Sequence, residues 1–356
     1  VKRGKNLTYQ IRNIADEVRR KGLEGSFCMK LSCLCILLVC LLFFGACQRE
    51  TSSGPPQKIT IAYPRTSYSI PFQIALTKGF FADEGLAVTA QSHEFGRLAL
   101  KSVLEGKADV ALSGDTPVMF AIVAGNKIVV IATIATSKKN EAIVARKNLG
   151  IKTPQDLKGR RIGVAFGTTG HFFLESFLSA WGIDRNSVEI IDTRPGDMMG
   201  ALSGGKVDAV SIWNPVLKQL ENELGRNGAV FYDDSIYSDN ACVSVLREFA
   251  EKRPETIKGV LKALIKAVTF IEEKPEESRL LVAEFLKIDR AVVDEMWGVM
   301  DFRVVLDQSL LVRLEDQTRW AQKNGFADST ETPNYLNFVY FNGLQSVRPE
   351  AVRIMR

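Results

Sequence analysis

Two segments of the chain, "GKADVALSGDTPV" at 106–118 and "GKVDAVSIWNPV" at 205–216, read alike. Each opens Gly-Lys-x-Asp, continues as a short apolar run, breaks at a small loop and restarts with Pro-Val. A short apolar run bounded by turn residues fits a buried strand. Proline at the head of the next apolar segment fits the first turn of a helix. The echo recurs at the same place in two longer series of alternating strand-like and helix-like segments, and that alternation admits few architectures.

The first series runs as strand "KITIAY" (58–63), helix "IPFQIALTKGFFADEG" (70–85), strand "LAVTAQSH" (86–93), helix "GRLALKSVLEG" (96–106), strand "ADVALSG" (108–114), helix "TPVMFAIVAG" (116–125) and strand "KIVVIATI" (127–134). The second runs as strand "RRIGVAF" (160–166), helix "HFFLESFLSAWG" (171–182), strand "SVEIIDT" (187–193), helix "GDMMGALSGG" (196–205), strand "VDAVSIW" (207–213) and helix "NPVLKQLENELG" (214–225). Two similar α/β lobes with parallel-dominated sheets are expected, and a chain of 356 residues is long enough for both. "NEAIVARKN" (140–148) and "DNACVSVLREF" (239–249) flank the second series and are the natural pair of crossings between lobes. That assigns 58–138 and 241–356 to the first lobe and 139–240 to the second. The C-terminal third reads as helical, with Pro254 and Pro275 at first-turn positions.

The net charge of +5 gives no argument for nucleic-acid binding, because residues 1–30 carry the whole excess and the rest is near neutral. Five of the six cysteines, Cys28, Cys33, Cys35, Cys40 and Cys47, fall in or beside one N-terminal apolar segment, so neither a disulfide framework nor metal-ligand spacing is present. That segment, from Met29, has a basic start and an apolar stretch of about sixteen residues, short of a membrane span and right for a signal peptide (29–46). Gly45-Ala46-Cys47 resembles a bacterial lipobox, in which the cysteine thiol carries lipid; Phe44 departs from the usual Leu, and plain secretory cleavage is the alternative. Residues 47–57 are a polar, Ser/Gly/Pro-rich tether. Residues 1–28 precede Met29 and open on Val1; translation is expected to begin at Met29, with 1–28 an upstream extension.

"KGFFADEGL" (78–86), "LEGKADVALSGDTPV" (104–118), "NLGIKTPQDLKGRRIGVAFGTTG" (148–170) and "GKVDAVSIWNPVL" (205–217), in this order behind a lipoprotein-like signal, resemble the solute-binding proteins of ABC importers. The nearest group is the nitrate/sulfonate/taurine type, which shares its fold with thiamine-precursor binders, and the resemblance covers residues 58–345. It implies a two-lobed, type II-like periplasmic-binding-protein fold whose lobes close on a small anionic ligand. It also implies delivery to an ABC permease and its ATPase, no cofactor, a monomer, and a place outside the cytoplasm, anchored through lipid on Cys47.

In open parallel sheets ligands bind beyond the carboxyl ends of strands. Those ends are residues 63–69 and 113–116 in the first lobe, and 166–170, 193–194 and 213–214 in the second. The sequence Gly167-Thr168-Thr169-Gly170 joins a strand to a helix, where free backbone N–H groups and the helix dipole favour an anion. Thr168 and Thr169 are the leading candidates for donors to an oxyanion; helix capping is the alternative. Ser113, Asp115 and Thr116 form the matching loop, with Asp115 either capping the following helix or holding the ammonium of a zwitterion such as taurine. Tyr68 and Ser69 precede the first helix. Trp213 is a candidate apolar wall, and Asn214 stands where relatives of this type carry an acid, which suits an anion. Arg65 and Arg194 are possible counter-charges and His171 a possible donor.

Enzymes share the fold, including thiamine-pyrimidine synthases, but their cysteine-rich iron motif has no counterpart here. His93 and His171 have no partner at nucleophile or metal spacing, and no phosphate-binding loop or dinucleotide fingerprint occurs. A non-enzymatic binder of a small oxyanion is expected, with a pyrimidine binder and a sensor input protein as alternatives.

Overall fold

The computed structural model describes residues 55–328 and 331–355. The upstream extension, the signal, Cys47 and most of the tether lie outside the described residues.

Among the described residues twelve strands form two sheets: β1 (Gln57–Pro64), β2 (Leu86–His93), β3 (Val110–Gly114), β4 (Ile128–Ser137), β5 (Glu141–Arg146), β6 (Arg161–Val164), β7 (Glu189–Asp192), β8 (Ala209–Trp213), β9 (Gly228–Phe231), β10 (Asp239–Leu246), β11 (Asp301–Asp307) and β12 (Val352–Arg353). The order is β12-β11-β4-β10-β3-β1-β2 in the first sheet and β7-β6-β8-β5-β9 in the second. The internal repeat is therefore structural: β2-β1-β3-β10-β4 corresponds strand for strand to β7-β6-β8-β5-β9.

The repeated aspartate explains part of the echo. Asp109 accepts the Thr60 N–H at 2.7 Å and returns its own N–H to Thr60 at 2.9 Å. Asp208 accepts the Arg161 N–H at 3.0 Å and returns its own at 2.8 Å. Each aspartate pins the last strand of its βαβ run to the first. The Arg161 side chain also pairs with Asp208, at 2.7 Å.

The sheets are mixed rather than parallel-dominated. β1 runs parallel to β2 and β3, and β6 to β7 and β8, but β10 and β5 are antiparallel to both their neighbours. Topology requires this. The joins between lobes are residues 138–140 and 232–238. A strand that enters a sheet from the cleft must run away from it, whereas β1, β3, β6 and β8 run towards it.

β4 and β3 are buried along their whole length, as strands covered on both faces must be. The expected single helix over 70–85 is two, Ile70–Thr77 and Phe80–Asp83, broken where Gly79 takes φ +74°. The C-terminal third is helical as expected but also supplies β11 and β12, which extend the first sheet. Its longest helix, Pro254–Glu273, buries Ile257, Val260, Leu261, Leu264, Val268 and Ile271 on one face. Leu261→Ala is expected to cost ~2–5 kcal/mol, read as a lower urea midpoint at unchanged slope. Among the described residues no helix is long and apolar enough to cross a membrane.

Candidate functional site

The loops at the strand ends meet between the sheets around a small cavity of about 20 Å³. From the first lobe Thr66, Tyr68, Gly96, Arg97, Gly114 and Pro117 line it; from the second, Thr168, Thr169 and Trp213. The lobes touch here. A Cβ on Gly114 would lie 2.5 Å from the Thr169 Cγ2, and one on Gly167 would lie 3.5 Å from the Arg97 Cδ. Glu94 and Arg194 pair across the same seam.

The Gly167–Gly170 turn is built for close approach. Gly167 takes φ +68°, and its N–H donates to His171 Nδ1 at 3.3 Å. A Cβ on Gly170 would meet the Trp213 ring at 3.2 Å, and the Gly170 carbonyl accepts the Ser211 hydroxyl at 2.8 Å. The helix Thr169–Ala180 is thereby seated on β8, with Trp213 as a wall of the cavity.

The two threonines line the cavity, but their hydroxyl protons point elsewhere. Thr168 Oγ donates to the Ala165 carbonyl at 2.6 Å, and the Thr169 hydroxyl donates to Glu141. A hydroxyl has one proton, so the expectation of two threonine donors to a ligand is corrected. Neither side chain caps the helix either. The N–H groups of Thr168, Thr169 and Gly170 donate to no protein partner among the described residues, as expected at the head of a helix. Thr168→Val should accordingly lower folding stability by ~0.5–1.5 kcal/mol, seen in chemical denaturation, and leave ligand affinity little changed.

Other candidates lie off the cavity lining. Ser69 donates to the Pro64 carbonyl at 2.6 Å. Ser113 and Thr116 are fully buried, off the cavity, with unpartnered hydroxyls. Asn214 is buried with its Oδ1 unpartnered, and its N–H donates to the Asn140 carbonyl at 3.2 Å. Asp115 neither caps its helix nor reaches the cavity. It accepts from the Tyr237 hydroxyl, from Gln317 Nε2 at 2.8 Å, and from the N–H and Nδ2 of Asn240, both at 3.1 Å. It ties a first-lobe helix to the second crossing and to the helix Gln308–Lys323. Arg65 donates to the Leu286 carbonyl at 2.8 Å, Arg194 is held by Glu94, and neither lines the cavity. His171 is buried against Phe166, Trp320 and Phe326, and burial depresses its pKa to about 4. It is a neutral acceptor that shapes the turn.

The cationic side chain on the cavity lining is Arg97, in the first turn of the helix Gly96–Leu104. Its guanidinium lies 5.6 Å from the Phe95 ring centroid and has no carboxylate partner among the described residues. The carboxyl end of β2 belongs to the same row of strand ends as the other loops, and extending the strand-end rule to it would have found Gly96 and Arg97. Behind the lining lie three carboxyl groups, Asp115, Glu141 and Asp239, each at most 3% exposed. Burial pushes all three pKa values up, Asp239 to about 7. Among the described residues no cluster of His, Cys, Asp or Glu is placed to hold a metal.

Comparison with known proteins agrees with this architecture. The model of the NMT1/THI5-like family matches residues 66–278. The taurine-binding periplasmic protein of Escherichia coli (strain K12) is 29% identical over 59% of this chain, a match spanning 65% of that protein's length. A protein of Bacillus subtilis (strain 168) carrying the name aliphatic sulfonates-binding protein is 28% identical over 74% of this chain and 81% of its own. The crystal structure of the periplasmic aliphatic sulphonate binding protein SsuA from Escherichia coli superposes with a TM-score of 0.69 at 21% identity, covering 82% of this chain and 99% of that one. The chain has the periplasmic-binding-protein fold.

Proposed function

The chain belongs to the NMT1/THI5-like family, and from that premise we propose that it is an extracytoplasmic solute-binding protein of an ABC importer that captures a small oxyanion between its lobes. An alkanesulfonate is the first choice, with taurine and nitrate next; the protein hands its ligand to a permease and does no chemistry on it. One observation carries the ligand class. The free N–H groups at the head of the helix Thr169–Ala180 and the unpaired Arg97 belong to the same interlobe cavity, one from each lobe. A sulfonate accepts several hydrogen bonds from such a set, each charge-assisted bond contributing ~1.5–3 kcal/mol. Trp213 would cover an organic tail, which favours sulfonate over nitrate.

A thermal-shift series with ethanesulfonate, taurine, nitrate, bicarbonate and a thiamine-type pyrimidine tests the ligand class, because a ligand at a hundred times its Kd adds ~2.7 kcal/mol of stability. The oxyanions should raise the melting temperature. A shift with the neutral pyrimidine alone would replace the anion with the alternative expected from the sequence.

Export and anchoring through lipid on Cys47 belong to the same proposal. The protein should partition into detergent and incorporate labelled palmitate, and Cys47→Ala should abolish both. Labelling that survives the substitution would exclude Cys47 as the anchor.

A further inference from the structure

Glu141 and Asp239 open β5 and β10, the two strands that follow the crossings, so the joins between the lobes bring the two carboxyl groups together. They share their donors. Tyr68 Oη lies 2.6 Å from Asp239 Oδ2 and 3.1 Å from Glu141 Oε1. Asn140 Nδ2 lies 2.9 Å and 3.3 Å from the same two oxygens. The phenol has a single proton, directed at Asp239. Asp239 Oδ1 also accepts the Ser137 N–H at 2.7 Å.

The groups acting most strongly on the pair are each other, Asp115, Tyr68, Asn140 and Thr169, and none is cationic. Nearby, Tyr237 and the Cys242 thiol are held neutral by burial, and Arg313 is drawn to Asp115. Lys139, on the first crossing, pairs outward with Asp234 at 3.5 Å. Two buried carboxylates converging on one donor set without a cation cannot both stay ionised; one proton must remain between them.

We propose that the Glu141–Asp239 pair is a proton-binding site which fills as the lobes close, so that ligand capture takes up a proton. Tyr68 stands on the first lobe, Glu141 and Thr169 on the second. Opening withdraws the phenol from Glu141 and admits water, which favours ionisation of both acids. The closed form has the higher proton affinity. Its advantage is full below the open-form pKa and is lost as pH rises through the closed-form value, about 7 for Asp239.

This coupling rests on ligand-driven closure, and the test separates the two. Calorimetric titration of ethanesulfonate, which has no group titrating in this range, is run across neutral pH in buffers of different ionisation enthalpy. Proton uptake approaching one, and affinity falling up to about tenfold per pH unit, are expected for a single linked proton. Glu141→Gln, a neutral isostere, should show neither, and Asp239→Asn should behave likewise. Affinity independent of pH in the wild type, or an unchanged slope in Glu141→Gln, would overturn the proposal. A ligand-free arm uses Glu94→Cys/Arg194→Cys joined by a short bis-maleimide to hold the lobes together. Its infrared carboxylic-acid band should persist to higher pH than in the uncross-linked protein and vanish with Glu141→Gln. If ethanesulfonate fails to bind but this band behaves as expected, the anion assignment fails and the proton site stands; an absent band sinks the proton site.

Discussion

Replacing Arg97 with alanine is expected to weaken oxyanion binding roughly ten- to a hundred-fold, the loss of one charge-assisted hydrogen-bonding partner at ~1.5–3 kcal/mol. The fold should be unaffected. Arg97 is exposed, its charge is unpaired among the described residues, and its nearest ring is a cation–π contact with Phe95. Exposed substitutions of this kind fall within about 0.5 kcal/mol in stability. Arg97→Lys should recover part of the affinity, since it keeps the charge but loses the planar fork of donors. Calorimetry with ethanesulfonate measures the affinity, and urea denaturation measures the stability. Equal affinity in wild type and Arg97→Ala would mean that the anion is held by the helix head alone, or elsewhere.

Gly114→Ala should keep the protein open. The backbone at Gly114, φ −70° and ψ 167°, suits any residue, so the substitution adds no local strain. Its Cβ, however, would stand 2.5 Å from the Thr169 methyl of the opposite lobe and 3.3 Å from the Tyr68 ring. Overpacking of this order costs ~1–3 kcal/mol; the larger Thr169 clash falls on the closed state only, while the Tyr68 contact lies within the first lobe and weighs on both states, so affinity should drop by roughly five- to a hundred-fold. In solution scattering the wild type should contract on saturation with ligand, and Gly114→Ala should need far more ligand to do so. Thr169→Ser removes the obstructing methyl and should restore closure in the double mutant.

The parts of this molecule that repeat were the most legible. The Gly-Lys-x-Asp echo placed β3 and β8 at equivalent positions, and both aspartates make the same reciprocal bond to the first strand of their run. Local pattern located the Gly167–Gly170 turn and its helix, because strand, turn residues and helix each have a short-range signature. Hydroxyl direction has none. Thr168 and Thr169 look like ligand donors until the Ala165 carbonyl, three residues back along the chain, and Glu141, brought near by the fold, take their protons. Asp115 likewise reads as a helix cap, yet its partners Tyr237, Asn240 and Gln317 come from distant segments. β11 hid in a helical context, since "DFRVVLD" is too short for periodicity to separate strand from helix. The antiparallel strands followed from where the chain crosses, which local pattern does not record.

The most direct measurement of the central claim is a crystal structure of the protein grown with ethanesulfonate. The sulfonate should lie between the lobes with its oxygens at hydrogen-bond distance, ~2.7–3.2 Å, from the N–H groups at the head of the helix Thr169–Ala180 and from the Arg97 guanidinium, its ethyl group against Trp213. A sulfonate seated away from both, or lobes closed around the cavity with the anion outside it, would contradict capture of an oxyanion in this cleft.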